Sequence, residues 1–565
     1  MGGSFQTFDT KEWKGLNEDE NPTALRMGEL AIAENVWRYG HLIGTRPGTQ
    51  YEGTDGDWDE TVDAGEGVED PCQGLHDCSN AFDATRKLVA IFGGDIYDAH
   101  DNVIGKAGAA PATVTAGADN MWTFAMHAGN VYAAGGATAA PDTVWYWDLA
   151  AGNVEAVTFE ESTGVGQIFA GYIFEKWNRL WINGLTGTAA SNNPMVGRYS
   201  ALNDGTSWSP ANTIGGSSAV GGFSSYGDEF STGWGSYHDN QTGDFLLFLT
   251  NKNIYSIVQE GNVYTPFSTN DVIPTGCVSQ RAFVDLGVDA GDAVYLSEKG
   301  VHSLRQSQIH GPRSDRFLSW PIRNTFATLN RSRLKYATGA YLHEHGLVIF
   351  AVPTGSNTYN DLILALDVRD ADTKEGLTSE SAIWYIWRLA SSDAMHFPQV
   401  LVPARDRSSS ETPYVYGGNL KGDVFRFTTA NFSDMGAAYA THLRTRHDDF
   451  GVPMVTKIPG NGEVWVEPTD DYSITMNLVF DNGRRTSSAR TLDLVSHGLT
   501  LSFVLDDTAI LGSESNLQRK VFFGTGHGET IAHDFHHSGA NQPFWIARIS
   551  QQVAGLGDEL GDVAA

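Results

Sequence analysis

One unit recurs along this chain and constrains it more than any other feature. An apolar strand runs into a tight turn containing Gly, Asn or Asp, and a second strand opens with Ile, Leu or Val and usually an aromatic residue. It appears as KLVAIFGGDIYDA, WTFAMHAGNVYAAGG, FEKWNRLWING, FLLFLTNKNIYSIV, VYLSEKGVHSL, AYLHEHGLVIFAV and VYGGNLKGDVFRF. Each reads as a hairpin, because Gly and Asn supply the positive φ that tight turns need. The turn residues Asp95, Asn130, Asn178, Asn253, Gly300, Gly346 and Asp423 lie 35, 48, 75, 47, 46 and 77 residues apart. A period in the forties with longer insertions is the propeller range.

A second unit supports this expectation. Val144–Val157 and Leu362–Arg388 each carry an apolar strand into Asp, cross a polar turn and return on another apolar strand, as an outer hairpin following an inner one would. Four antiparallel strands per blade leave only short, protected edges. The pattern predicts an all-β chain with a β-propeller of six to eight blades over residues 71–433. Residues 1–70 read as an acidic N-terminal arm and linker, with a hairpin near 35–50 packing on the propeller. Residues 434–565 alternate apolar and polar positions around a DNG turn and read as a β-sandwich-like domain. Helix is expected in a basic insertion near 305–335. Its best candidate is SWPIRNTFATLN, with Ser319 near the N-cap, Pro321 in the first turn and Ile322, Phe326 and Leu329 on one face.

Composition agrees with the pattern: 63 glycines in 565 residues, 15 Trp, 20 Tyr and 28 Phe describe a turn-rich chain of strand formers. A formal charge of −31 argues against generic attraction to nucleic acid or anionic membrane. The densest apolar stretches, such as Phe245–Thr250 and Leu362–Val368, are far too short to span a membrane, and MGGSFQTFDTKEWKGLNEDE has no apolar h-region, so neither membrane insertion nor export is expected. Cys72, Cys78 and Cys277 read as small buried or loop thiols suited to a reducing cytoplasm.

Catalytic motifs are missing from the sequence: there is no GxxxxGK[ST], no HExxH and no zinc-ribbon spacing, and GGFSSYG does not satisfy GxSxG. Ser200–Trp208, SALNDGTSW, resembles the Asp-box turn of sialidase propellers, where Ser and Asp brace a hairpin and Trp packs below it. That role is structural. His533, His536 and His537 with Asp534 and His527, and the pair His343 and His345, offer metal-ligand types, yet their expected setting in exposed loops and hairpin rims favours surface roles. Asp239–Asp244 reads as a solvated turn rather than a calcium loop. No cofactor and no metal are expected.

The basic exception to the acidity is sharper. Lys299, Arg305, Arg313, Arg316, Arg323, Arg331, Arg333 and Lys335 fall within 37 residues that contain one acid, Asp315. Such a stretch suits either an exposed face or docking on an acidic neighbour, including another copy of the chain.

The order of segments resembles a known family. In GLNEDENPTALRMGELAIAENVWRYGHLIGTRPG the matching residues are Asn21, Pro22, Gly28, Glu29, Asn35, Val36, Arg46, Pro47 and Gly48. NRLWINGL, YSALNDGTSWSP, FLLFLTNKNIYSI, PTGCVSQRAFVDLG, AVYLSEKGVHSL, PIRNTFATLN and IWYIWRL then follow one another. Over residues 15–50 and 175–430 the chain is similar to the β-propeller component of bacteriophage tails, of the tail-tube nozzle or packaged-DNA-stabilising hub type. The resemblance implies a virion protein assembled in the host cytoplasm, forming a ring of identical copies, commonly six. Such a ring surrounds the DNA channel, touches adjacent tail, adaptor or fibre proteins, and lets DNA pass without specific binding. It carries over no catalytic residues. Two other readings remain: a host-receptor or carbohydrate-binding propeller using Trp147, Trp208 and Trp234 as sugar platforms, and a glycoside hydrolase.

Overall fold

The computed structural model describes residues 5–52, 71–79, 86–98, 102–103, 115, 117–137, 140–148, 153–157, 159–161, 164–166, 169–186, 195–215, 228–239, 243–260, 263–266, 273–287, 291–310, 317–369, 377–390, 396–405, 413–469, 471–494 and 517–556. The fold is all-β.

Among these residues seven antiparallel strand groups follow one another, the sixth being part of a larger sheet and a separate two-stranded sheet, Phe159–Glu161 with Gly164–Gly166, falling between the second and third. Their first strands are Cys72–Ser79, Met121–His127, Phe169–Lys176, Ser231–Asp239, Phe283–Asp285, Thr338–Leu342 and Val400–Arg405. Each first strand packs against the first strand of the next sheet, and the seventh packs against the first. The predicted hairpins generate these sheets. Lys176 pairs with Arg179 across Trp177 and Asn178, at φ 56° and 54°, and His127 pairs with Asn130 across Ala128 and Gly129, at φ 50° and 82°. Two positive-φ residues in a two-residue loop match the strand twist. The SALNDGTSW turn is a brace, as expected. Ser200 Oγ accepts from Leu180 N at 3.0 Å, Asp204 Oδ1 accepts from Thr206 N at 2.9 Å, and the buried Trp208 donates Nε1–H to Gly205 O at 2.8 Å.

The predicted helix is broken into a 3-10 turn, Trp320–Ile322, a short α-helix, Arg323–Ala327, and a second 3-10 turn, Arg331–Tyr336. Ile322, at φ −110° and ψ 28°, interrupts it. The expected face of Ile322, Phe326 and Leu329 is nevertheless buried. A further α-helix covers Leu304–His310.

The N-terminal hairpin packs on the sixth sheet, with Arg38 3.3 Å from Asp367 and Trp37 against His345, but the segment as a whole is more than an arm. Its strands are shared among the sheets, because their apolar faces and edges are satisfied there. Gly48–Tyr51 forms the outer strand of the seventh sheet, beside Val424–Thr428. Leu30–Glu34 lies between Ile383–Trp387 of the sixth sheet and Thr441–Thr445, so one ten-stranded sheet runs from the sixth sheet into the C-terminal part. The hairpin Val36–Tyr39 and Leu42–Thr45 pairs with Trp545–Leu556, as does Phe5–Thr10. At Gly44 a Cβ would lie 1.8 Å from Phe544 O, so only glycine allows that hairpin to approach. The acidic stretch from 53 to 70 lies outside the described residues.

The C-terminal part is two facing sheets. One contains Thr456–Glu467, Gln518–Phe523 and Trp545–Leu556; the other contains Thr441–Thr445, Ser473–Phe480 and Ile531–His537. Phe8 from the first meets His533 from the second with ring centroids 4.9 Å apart. The same apolar cluster continues without a break through Trp384 and Trp387 into the sixth sheet.

Candidate functional site

Where the seventh sheet, the sixth sheet and the C-terminal sheets meet, the structure buries one arginine completely. Arg46 has no exposed surface, and all five of its guanidinium N–H groups are used. Nε donates to Asn35 Oδ1 at 3.0 Å; Nη1 donates to Pro47 O at 2.7 Å and Asp434 Oδ1 at 3.0 Å; Nη2 donates to Arg388 O at 3.0 Å and Asp434 Oδ2 at 2.5 Å. The Tyr439 ring covers the guanidinium at 3.9 Å, and its hydroxyl donates to Arg46 O at 2.6 Å. Burial alone would lower the arginine's pKa, but Asp434 and the electron-rich Tyr439 outweigh it and raise it. Asp434 is saturated as well, accepting additionally from Ala390 N at 2.8 Å and Thr49 Oγ1 at 3.3 Å.

Asn35, Val36, Arg46, Pro47 and Gly48 of the N-terminal motif each have a part in this clamp. Asn35 sits at φ 54°, a left-handed position that Asn tolerates, and donates Nδ2–H to Ala440 O at 2.7 Å while its Oδ1 accepts from Arg388 N at 2.7 Å. Val36 is buried and its carbonyl accepts from Trp387 Nε1 at 2.9 Å. Pro47 supplies a carbonyl, and at Gly48 a Cβ would lie 2.3 Å from Ser433 O. Five residues between positions 35 and 48 thus fasten three parts of the fold around one buried ion pair.

The basic stretch is largely partnered within the chain. Arg323 Nε pairs with Asp19 Oδ1 at 2.5 Å and its guanidinium lies over Trp320 at 5.3 Å. Glu18 accepts from Thr325 N at 2.9 Å, so the acidic N-terminal segment is itself an acidic neighbour of this insertion. Arg333 forms a two-pronged pair with Asp119 and covers Tyr336 at 4.1 Å, while Lys335 Nζ lies 4.9 Å from the same ring. Arg331 stacks on Phe326 at 4.9 Å, Arg305 is partly buried with its N–H on Asp292 Oδ1 at 3.1 Å, and Lys299 is exposed. Arg313 and Arg316 lie outside the described residues.

His527 lies in an exposed loop and His343 and His345 at the tip of a hairpin, as expected, but the other histidines of the C-terminal group do not lie in a loop. His533, Asp534, His536 and His537 belong to the strand Ile531–His537. Its alternation turns His533 toward Phe8 and Phe522 of the facing sheet and Asp534 and His536 to the opposite face. His343 and His345 share a 3-10 turn rather than a strand, with His345 buried against Trp37 at 5.0 Å. His442, Asp534 and His536 do converge, His442 being the member that nothing in its own segment singles out. Its Nε2 lies 2.7 Å from Asp534 Oδ1, and that of His536 lies 2.9 Å from Oδ2. Arg444, however, donates to both oxygens, at 2.9 and 3.1 Å. Burial pushes the Asp534 carboxyl up, and these hydrogen bonds outweigh it, holding it far below the usual carboxylate range. A carboxylate already holding a guanidinium fits an ion-pair network better than a cation site. Asp244 likewise pairs with His238 at 2.5 Å and Lys176 at 3.5 Å. Trp147, Trp208 and Trp234 are buried and offer no exposed ring for a sugar.

His533 gives a pH dependence with a definite sign. Buried, with Nε2 2.7 Å from Gln551 Oε1, it has a pKa pushed down to about 4, chiefly by burial. The unfolded chain therefore takes up this proton first. The stability it confers is complete above about pH 6.5 and drains away as the pH falls toward 4, to the extent of roughly 3 kcal/mol. Urea midpoints at pH 7 and pH 4.5 are expected to differ less for His533→Gln than for the parent.

No protein-family model matches this chain, and no curated protein matches it. Among solved structures it is similar to BBS1N in complex with ARL6DN, at 11% identity over 66% of this chain and 97% of that one, with a TM-score of 0.35. It is similar to the exo-beta-1,3-galactanase of Phanerochaete chrysosporium, at 9% identity over 79% and 97%, with a TM-score of 0.26. It is also similar to the SapL1 lectin in complex with alpha methyl fucoside, at 11% identity over 62% and 90%, with a TM-score of 0.27. Scores this low carry no argument about activity, and the all-β class rests on the strands of the chain itself.

Proposed function

We propose that this chain is a structural, non-enzymatic protein of a phage tail, whose seven cyclically packed sheets are the blades of a β-propeller and whose copies form a ring around the DNA channel. One observation supports the reading most. Five of the nine N-terminal residues through which the sequence resembles tail nozzles and hubs, Asn35, Val36, Arg46, Pro47 and Gly48, clamp the blades to the C-terminal sheets. A ring subunit retaining packaged DNA under pressure needs its two parts to move as one, and a saturated buried ion pair spanning them gives that stiffness. The overall charge of −31 keeps phosphate from adhering as DNA slides past. The test is immunogold labelling of purified virions together with the solution mass of the purified protein. Tail labelling and a mass several times the 61.2 kDa of one chain are expected. Absence from the particle overturns the proposal.

A further inference from the structure

A second site lies where the first strands of the sheets converge. A pocket of about 210 Å³, room for about seven waters, is lined by residues of six of the seven sheets or their entry turns, from Leu75 and His76 round to Val400 and Leu401. Its walls include the rings of Phe124, Phe174 and Phe283.

Arg281 enters this pocket from the 3-10 turn Gln280–Ala282, which leads into Phe283–Asp285. Its Nη2 donates to Lys335 O at 3.3 Å, and its Nη1 is buried without a hydrogen-bond partner. Among the described residues no carboxylate forms an ion pair with it. The groups that act on it electrostatically are the phenols of Tyr172 and Tyr336, and burial holds its pKa down to about 10. Arg46 has every donor answered, whereas Arg281, half-buried on the pocket wall, keeps one enclosed donor, Nη1, without a partner. A second nitrogen, His76 Nε2, is also buried and unpartnered on the same wall, its ring stacked on Phe124 at 5.5 Å. Gln280 beside it is anchored at both ends of its amide, accepting from Trp234 N at 3.1 Å and donating to Ile173 O at 2.9 Å. The turn is therefore fixed while its arginine stays open.

Unanswered buried donors of this kind are costly and call for a ligand. We infer that the axial pocket binds a small organic monoanion, its carboxylate on Arg281 and its apolar body against Phe124 and Phe283. Asp285 also lines the pocket, with Oδ1 accepting from Gly287 N at 2.8 Å and Oδ2 3.4 Å from Ser236 Oγ. That negative charge disfavours phosphate dianions and longer polyanions, which selects for a single carboxylate.

The test uses the full chain and three probes, sodium benzoate, acetate and inorganic phosphate, titrated calorimetrically at constant ionic strength. Benzoate is expected to bind saturably, at least ten-fold tighter than acetate or phosphate, and Arg281→Met to weaken it at least ten-fold. The unchanged parent gives an independent reading: phenylglyoxal modification of Arg281, followed by peptide mass mapping, is expected to be slowed by benzoate and not by phosphate. Failure of all three probes to saturate, equal affinity for phosphate, or no protection of Arg281 overturns the inference.

Discussion

Replacing Arg46 by methionine is expected to cost about 3–5 kcal/mol of unfolding free energy, because Asp434 then stays buried with its charge unanswered. Few single changes elsewhere match this, since the same step also strips a donor from Asn35, Pro47 and Arg388. Asp434→Leu is expected to be as damaging, leaving the guanidinium uncompensated. The double variant Arg46→Met, Asp434→Leu is expected to regain much of the loss, since apolar replacement of a whole buried pair is often neutral. Equilibrium denaturation of all four proteins gives the coupling, expected to exceed about 2 kcal/mol. Additive single effects would mean that the pair is not the clamp.

Removal of residues 1–52 is expected to have a still larger consequence, the loss of cooperative unfolding altogether. That segment supplies the outer strand of the seventh sheet, the strand joining the sixth sheet to Thr441–Thr445, and two strands paired with Trp545–Leu556, one of them carrying a third on its far side. It also contributes Phe8, Trp13, Trp37 and Ile43 to the common core. Calorimetry of the truncated chain is expected to show no sharp transition and exposed strand edges to drive aggregation. Supplying the 1–52 peptide in trans during refolding is expected to restore a transition. A truncated chain that melts as sharply as the parent would show the segment to be an accessory.

Local structure was legible in the sequence wherever local chemistry decides it. The turns at Ala128 and Gly129 and at Trp177 and Asn178 announce themselves through Gly129 and Asn178, which accept positive φ, while Ala128 and Trp177 are carried into it by the loop. The brace at Ser200–Trp208 is spelled within nine residues. What the sequence could not display is pairing across distance. Arg46 meets Asp434, 388 positions away, and Arg333 meets Asp119, 214 positions away. No periodicity records such partners, so an arginine-rich stretch that suggested an external acidic surface finds Asp19 and Asp119 in its own chain. His442 was invisible for the same reason, and the sequence likewise gave no sign that Arg281 lacks a carboxylate. Only the fold determines which charges are answered.

The closure of the seventh sheet has a consequence for how the molecule is made. Gly48–Tyr51 leaves the ribosome early, yet its partner, Val424–Thr428, follows only after some 370 further residues. At about 5–20 residues per second this is roughly 20–75 s during which the strand has no mate. Completion of the fold is therefore an event of the finished chain, and slow synthesis lengthens the interval in which an unmated strand can find the wrong copy.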